Sequence, residues 1–160
     1  MQAVIALGSN LGDRHANLAA GIQGLGELGV VRVSSLVMET PDESGRGPDY
    51  LNTVALLATE IEDPPCLLEA LLRIELRCGR DRGLGRNAPR TLDLDLIAVS
   101  GQTGTWAWET PVDLRKLGPE LCLELPHPRA FTRLFVLEPW RALTDGGECG
   151  GMIHRTHPSA

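Results

Sequence analysis

The sequence predicts an α+β fold on the split βαβ, ferredoxin-like plan. Three observations point to it. Strand-like and helix-like patterns follow one another in the order β-α-β-β-α-β. The stretch opened by Pro64 and Pro65 and closed by Gly79 carries a strong helical period. The run Leu92-Asp93-Leu94-Asp95-Leu96 alternates with the period of a strand, leucines to one face and aspartates to the other.

Each element has its own warrant. Residues 3–7 are a short apolar run that stops at Gly8, as a buried strand does. Asp13 is placed to cap a helix through Leu18, Ile22 and Leu25 towards Leu28, although Gly21, Gly24 and Gly26 lower its helicity. Residues 30–37 read as a second strand with Val31, Val33, Ser35 and Val37 on one face. A Gly/Pro/Ser-rich loop spans 40–49, and 50–62 read as a third strand. In the second helix Leu67, Leu68, Leu71, Leu72 and Leu76 form the buried stripe. Residues 80–88 make a Gly- and Arg-rich loop with Leu84 as its only apolar anchor, expected to be mobile without a ligand.

After the strand of Asp93 and Asp95, residues 100–119 read as irregular and contain Trp106 and Trp108. Residues 131–143 are apolar and hold a helix or turn, with room for a last strand. One domain is expected over 1–144 and a poorly anchored tail over 145–160. No internal repeat is present.

The net charge of −6 argues against a broad basic surface for nucleic acid. The charge is unevenly placed, however. Of 15 basic residues only Lys116 is a lysine, and Arg73, Arg77, Arg80, Arg82, Arg86 and Arg90 fall in one stretch, opposed there by Glu75 and Asp81. Arginine favours planar, bidentate contact with phosphate or carboxylate, so a compact anionic ligand is implied. Cys66, Cys78, Cys122 and Cys149 show no CxxC pair or zinc spacing, and are expected to be free thiols in a reducing, cytoplasmic compartment. Neither a membrane-spanning run nor a basic leader is visible.

Asp93 and Asp95 stand side by side on one strand face, roughly 6–7 Å apart at Cα. That spacing suits oxygen ligands shared by hard cations such as a Mg²⁺ pair, with an amphipathic strand having a wet acidic face as the plain alternative. Gly8-Ser9-Asn10-Leu11-Gly12-Asp13-Arg14 joins a strand to a helix and fits neither common nucleotide fingerprint; alone it is a capped turn. Tyr50 and Asn52 share a face, an aromatic plate beside an amide that both donates and accepts, which suits a flat heterocycle. Pro126 and Pro128 hold His127 in an extended loop near Arg129 and Arg133. His154, His157 and Cys149 lack an ordered framework for a metal. Together these features suit Mg-dependent group transfer from a nucleotide to a flat ring.

Gly8-Ser9-Asn10-Leu11-Gly12, Thr40-Pro41, Asp49-Tyr50-Leu51-Asn52, Ile74-Glu75, Gly79-Arg80-Asp81-Arg82, Pro89-Arg90-Thr91-Leu92-Asp93-Leu94-Asp95 and Leu125-Pro126-His127-Pro128-Arg129 occur in an order that resembles the 6-hydroxymethyl-7,8-dihydropterin pyrophosphokinase family. The resemblance covers about residues 3–143. It implies a ferredoxin-like αβα sandwich with a largely antiparallel central sheet. The implied reaction moves pyrophosphate from ATP to the pterin hydroxymethyl group, releasing AMP, in folate biosynthesis. By position, Asp93 and Asp95 resemble the ligands of two Mg²⁺ ions, and Arg80 and Arg82 the mobile-loop arginines that close over ATP. Arg90 and Arg133 resemble ATP-phosphate contacts, His127 a nucleotide-side contact and Glu75 a residue of the nucleotide pocket. Tyr50 and Phe135 resemble the rings that sandwich the pterin, with Asn52, Thr40 and Pro41 beside it. No side-chain general base is implied.

The pattern departs from the family at three places. Asn87 stands where relatives have a tryptophan that closes over the pterin. The loop after Thr40-Pro41, Asp42-Glu43-Ser44-Gly45-Arg46-Gly47, is more charged than usual. The segment between Asp95 and His127 is longer and holds Trp106 and Trp108, expected to serve local packing ahead of a lid. A non-catalytic pterin- or nucleotide-binding relative is the alternative reading, and retention of Asp93, Asp95, Arg80 and Arg82 weighs against it. Partners are the two small-molecule substrates, with no nucleic acid and no membrane, and a monomer is preferred to a dimer.

Overall fold

The computed structural model describes residues 1–81, 88–145 and the backbone of 154–156. The strands are β1 (Gln2–Ser9), β2 (Gly29–Val33), β3 (Leu36–Thr40), β4 (Tyr50–Thr59), β5 (Asp93–Val99), β6 (Gly104–Glu109), β7 (Glu120–Leu125) and β8 (His154–Thr156). The helices are α1 (Arg14–Gly26), α2 (Pro64–Arg77) and α3 (Leu134–Thr144), with 3-10 turns at Val112–Leu117 and Ala130–Thr132.

Among the described residues the main sheet has six strands in the order β5-β1-β4-β3-β8, with β2 also paired to β4. β1 is antiparallel to both β4 and β5, and β2 and β3 are antiparallel to β4. That is the split βαβ arrangement the element order predicts. The expected strand over 30–37 is broken. Val33 faces Ala55 and Met38 faces Asn52, five positions on one side against three on the other. Ser34 is buried at the break, its N–H donating to Val54 O at 2.9 Å and its Oγ accepting from Leu36 N at 3.2 Å. A serine hydroxyl that satisfies nearby backbone lets the ladder lapse there, a competition that valine-rich periodicity conceals.

α1 and α2 cover one face of the sheet, where Ile5, Leu7, Leu94 and Leu96 are buried with Leu18, Leu25, Leu67, Leu71 and Ile74. Asp13 caps α1 by accepting from Ala16 N at 3.1 Å, and Asp63 caps α2 by accepting from Cys66 N at 3.1 Å. The glycines that weaken α1 as a helix are what let it pack. A Cβ on Gly24 lies 2.7 Å from Ile74 Cγ2, and one on Gly21 lies 3.0 Å from Leu92 Cδ1. α3 packs on the opposite face against Val4, Ala6, Val54 and Ile97. The result is a sheet with helices on both faces.

The segment 100–119 is not irregular. β6 and β7 form an antiparallel hairpin in which Trp106 faces Leu123 and Trp108 faces Leu121. Both tryptophans pack, partly buried, against the core under α1 and α2. The alternation Trp106-Ala107-Trp108 is a strand signal hidden by the glycines and polar residues before it. Within 145–160, residues 154–156 lie parallel to β3, with Leu36 facing His154 and Met38 facing Thr156.

Candidate active site

α3 covers only part of its face of the sheet. The uncovered part holds Gly8 of β1, Tyr50 and Asn52 of β4, and Asp93 and Asp95 of β5, around a cavity of about 340 Å³. Strand register brings them together: Gly8 faces Asn52 on one side and Asp93 on the other, and Ala6 faces Asp95. Gly8 leaves the floor as bare backbone, because a Cβ there lies 3.3 Å from Asn52 Oδ1 and 3.4 Å from the Tyr50 ring.

One wall suits a flat polar ring. Tyr50 and Phe135 line the cavity with Thr40, Pro41 and Asn52. Asn52 Nδ2 donates to Thr40 Oγ1 at 2.9 Å and to Met38 O at 3.3 Å, which turns Oδ1 toward Gly8. Burial pushes the Tyr50 hydroxyl above its ordinary value of 10.0 against the pull of Arg90, so it stays protonated.

The other wall is charged. Asp93 accepts from Arg80 Nη1, and from Arg90 Nη1 at 3.0 Å. Among the described residues, the ion-pair partner of Asp95 is Arg133, whose Nη1 lies at 3.9 Å. Removal from bulk water, then the charges of Asp93 and Glu75, push its carboxyl up to about 7. Arg133 lies over the Phe135 ring, 5.4 Å from its centroid, and its buried Nε has no hydrogen-bond partner among the described residues.

The end of α2 supports this wall from behind. Gly79, at φ 83°, reverses the helix: Gly79 N donates to Leu76 O at 3.1 Å and Arg80 N to Glu75 O at 3.1 Å. The reversal brings Arg80 against Glu75, and Arg80 Nη1 lies 2.7 Å from Glu75 Oε2. Glu75 is 1% exposed, and its Oε1 accepts from Leu94 N at 2.8 Å. Arg80, expected on a mobile loop, is thus buried between Glu75 and Asp93. Neither it nor Glu75 lines the cavity.

His127 also lies outside the cavity lining, held by its N–H to Ile97 O at 2.7 Å, and its Nδ1 accepts from Arg129 N at 3.2 Å. Burial, then Arg133 and Arg129, lower its pKa below the ordinary 6.5. Arg82 and Asn87 lie outside the described residues, as does most of the Arg-rich loop. Neither Trp106 nor Trp108 reaches the cavity. Trp108 Nε1 donates to Glu69 Oε1 of α2 at 2.9 Å.

Two positioning residues escaped the sequence reading. Asn10 is 1% exposed: its N–H donates to Arg90 O, its Oδ1 accepts from Arg90 N at 2.8 Å, and its Nδ2 donates to Pro48 O at 3.2 Å. It ties both loops that border the cavity to the end of β1. Arg14 Nη1 contacts Glu39 Oε1 at 2.8 Å and Asp49 O at 2.9 Å, fixing the entry to β4. The only available signal was their place in the Gly8–Arg14 turn.

The donor set is compatible with a hard cation. Asp93 and Asp95 offer oxygen alone, and Asp95, raised first by burial and then by the charges of Asp93 and Glu75, is a carboxyl whose ionised form a divalent ion would favour. Among the described residues no cluster of three or more His, Cys, Asp or Glu side chains is placed to hold an ion. Such an ion would complete its shell from water and substrate phosphates, as Mg²⁺ does.

Paired carboxylates, arginines and a slot for a flat polar ring, on a sheet with helices on both faces, define an enzyme that transfers a phosphate-bearing group to a small acceptor. The chain belongs to the 7,8-dihydro-6-hydroxymethylpterin-pyrophosphokinase family, which it matches over residues 4–145. It is 37% identical over 145 residues to the 2-amino-4-hydroxy-6-hydroxymethyldihydropteridine pyrophosphokinase of Mycobacterium leprae, covering 91% of this chain and 73% of that one. To the enzyme of the same name from Bacillus subtilis it is 34% identical over 140 residues, covering 86% and 74%. Its fold resembles a solved HPPK-DHPS in complex with substrates, with a TM-score of 0.60 at 15% identity, over 86% of this chain and 39% of that one.

Proposed function

We infer that this protein transfers pyrophosphate from ATP to the hydroxymethyl group of 6-hydroxymethyl-7,8-dihydropterin and releases AMP, a step of folate biosynthesis. The observation that carries the reading is the opening of the Asp93/Asp95 face into the same cavity as the Tyr50, Asn52 and Phe135 wall. The pterin lies between Tyr50 and Phe135, and Asn52 Oδ1 and Thr40 address its polar edge. Its hydroxyl oxygen attacks the β-phosphorus, the bond from that phosphorus to the α–β bridging oxygen breaks, and AMP leaves. The hydroxyl proton passes to water.

Arg90 and Arg133 take up phosphate charge, and the Nε of Arg133, without a partner among the described residues, supports that role. Arg80 acts as a brace that aims Asp93. Asp93 and Asp95 would hold Mg²⁺, which would supply neutralisation of the triphosphate. The remaining work of the chain is to position reactants and to offer fixed charge, which is how phosphoryl-type transfer is usually accelerated. The thiols of Cys66, Cys78 and Cys122, none in a disulfide, support a cytoplasmic setting.

The test is product analysis with ATP, Mg²⁺ and the hydroxymethyl pterin. AMP formed in step with pterin diphosphate supports the reading, and ADP would contradict it. Asp93→Asn and Asp95→Asn should each abolish turnover while the protein stays folded. Turnover at the wild-type rate in either would remove the metal assignment.

A further inference from the structure

The charged loop after Pro41 places an anion where the proposed reaction needs cations. Glu43 Oε2 lies 2.6 Å from Arg129 Nη2 and 3.7 Å from Arg133 Nη2, and all three residues line the cavity. Arg133 therefore stands between two carboxylates, Glu43 on one side and Asp95 on the other.

The loop presents Glu43 in a fixed position. Asp42 accepts from Ser44 Oγ at 2.6 Å, Gly47 N at 2.9 Å, Ser44 N at 3.2 Å and Arg46 N at 3.3 Å. The amide of Asn10 ties the following residue, Pro48, to the end of β1. Glu43 itself is 56% exposed and Arg129 57%. An ion pair so open to water is weak, and a phosphate offers more charge and more oxygens to the same guanidinium groups. The contact is strong enough to hold the arginines and weak enough to be exchanged.

We propose that Glu43 is an internal placeholder for a substrate phosphate, a carboxylate that occupies Arg129 and Arg133 until nucleotide displaces it. It keeps Arg133 from closing onto Asp95 when no phosphate is bound. It also sets the affinity for nucleotide, because every phosphate reaching these arginines does so by exchange. The inference rests on the reading of Arg133 as a phosphate contact.

The experiment compares binding of α,β-methylene-ATP with Mg²⁺ by calorimetry in the wild type, Glu43→Gln, Arg133→Ala, Arg129→Gln and the double variant Glu43→Gln/Arg129→Gln. Tripolyphosphate serves as a second probe that lacks the nucleoside. Glu43→Gln should tighten both probes about threefold. The gain should shrink when Arg129 is also replaced, since the competition then has no object. Weaker binding in Glu43→Gln would overturn the proposal by showing that Glu43 orients the arginines for ligand. Unchanged binding would overturn it equally. If Arg133→Ala weakens binding while Glu43→Gln does not tighten it, this inference fails and the phosphate role of Arg133 stands. If Arg133→Ala leaves both probes unaffected, both fail.

Discussion

Glu75 Oε1 accepts the N–H of Leu94 at 2.8 Å, and Leu94 is the residue between Asp93 and Asp95. Among the described residues β5 is an edge strand, and its outer amides find no ladder partner there. A carboxylate from α2 supplies one and, through Arg80, grips Asp93 as well. The geometry of the carboxylate pair is thereby set from beneath the sheet, by a side chain outside the cavity.

Glu75→Ala should cost about 3–5 kcal/mol, because it breaks the buried pair with Arg80, leaving that guanidinium only Asp93, and strands the Leu94 amide. Glu75→Gln keeps an acceptor for the amide and should cost about 1–3 kcal/mol. Urea unfolding without nucleotide measures both. A loss below about 0.5 kcal/mol in the alanine variant would mean that the brace does not stabilise the fold.

The raised carboxyl of Asp95 makes stability pH-dependent in a definite direction. It titrates at about 7 in the folded protein, against an ordinary 3.8, so the folded state keeps a proton that the unfolded chain releases between those values. Its contribution is complete below about pH 4 and is lost as pH rises to about 7. In EDTA, Asp95→Asn should gain on the wild type across that window and then level off. His127, lowered in pKa, acts the other way as pH falls through 6.5, but it is present in both proteins and cancels. A difference that stays flat from about pH 4 to 8 contradicts the shift. With Asp95 as the proposed Mg²⁺ ligand, saturating Mg²⁺ should erase the advantage of the variant, because asparagine would hold the ion less well than the aspartate.

Asn10→Ala removes the clamp between the loops at Pro48 and Arg90. It should lower stability by about 1–3 kcal/mol and reduce kcat more than it changes secondary structure, read by circular dichroism beside turnover. Full kcat in the variant would show that the loops hold their places without it.

Gly8→Ala puts a methyl group 3.3 Å from Asn52 Oδ1 and 3.4 Å from Tyr50, on the floor of the slot. KM for the pterin should rise about tenfold or more, with a smaller effect on nucleotide affinity. Equal losses for both substrates would indicate general distortion of the sheet.

Trp108→Phe deletes the indole N–H that meets Glu69 and should cost about 1 kcal/mol in unfolding. Pterin affinity should not change in Trp108→Phe or Trp106→Ala, since both rings pack against the core away from the cavity. A weakened pterin complex would reinstate the hairpin as a lid.

Much of the fold was legible because local signals agreed with it. Asp13 caps the helix it precedes, Pro64 opens the second helix, and the leucine alternation of β5 faces the core as its period requires. The break at Ser34 was not legible, since it depends on a hydroxyl satisfying neighbouring backbone. The hairpin was missed because the irregular segment was read by composition and the Trp106–Trp108 alternation within it was too short to dominate. In the site, the residues on one strand face were found together: Asp93 with Asp95, and Tyr50 with Asn52. What sequence could not give was depth. Glu75 and Arg80 were expected among ligand contacts and lie behind the wall, because the turn at Gly79 folds one onto the other.

The cavity draws on Gly8, on Thr40 to Asn52, on Arg90 to Asp95 and on Arg129 to Phe135, so its walls come from both ends of the chain and the middle. No one of the described elements contains it alone. The site comes into existence only when the whole sheet has closed and α3 has docked, and a ligand that binds there is linked to global unfolding. Nucleotide and pterin should therefore protect amides throughout the core from exchange, including those of β1 and β4 far from the bound molecules.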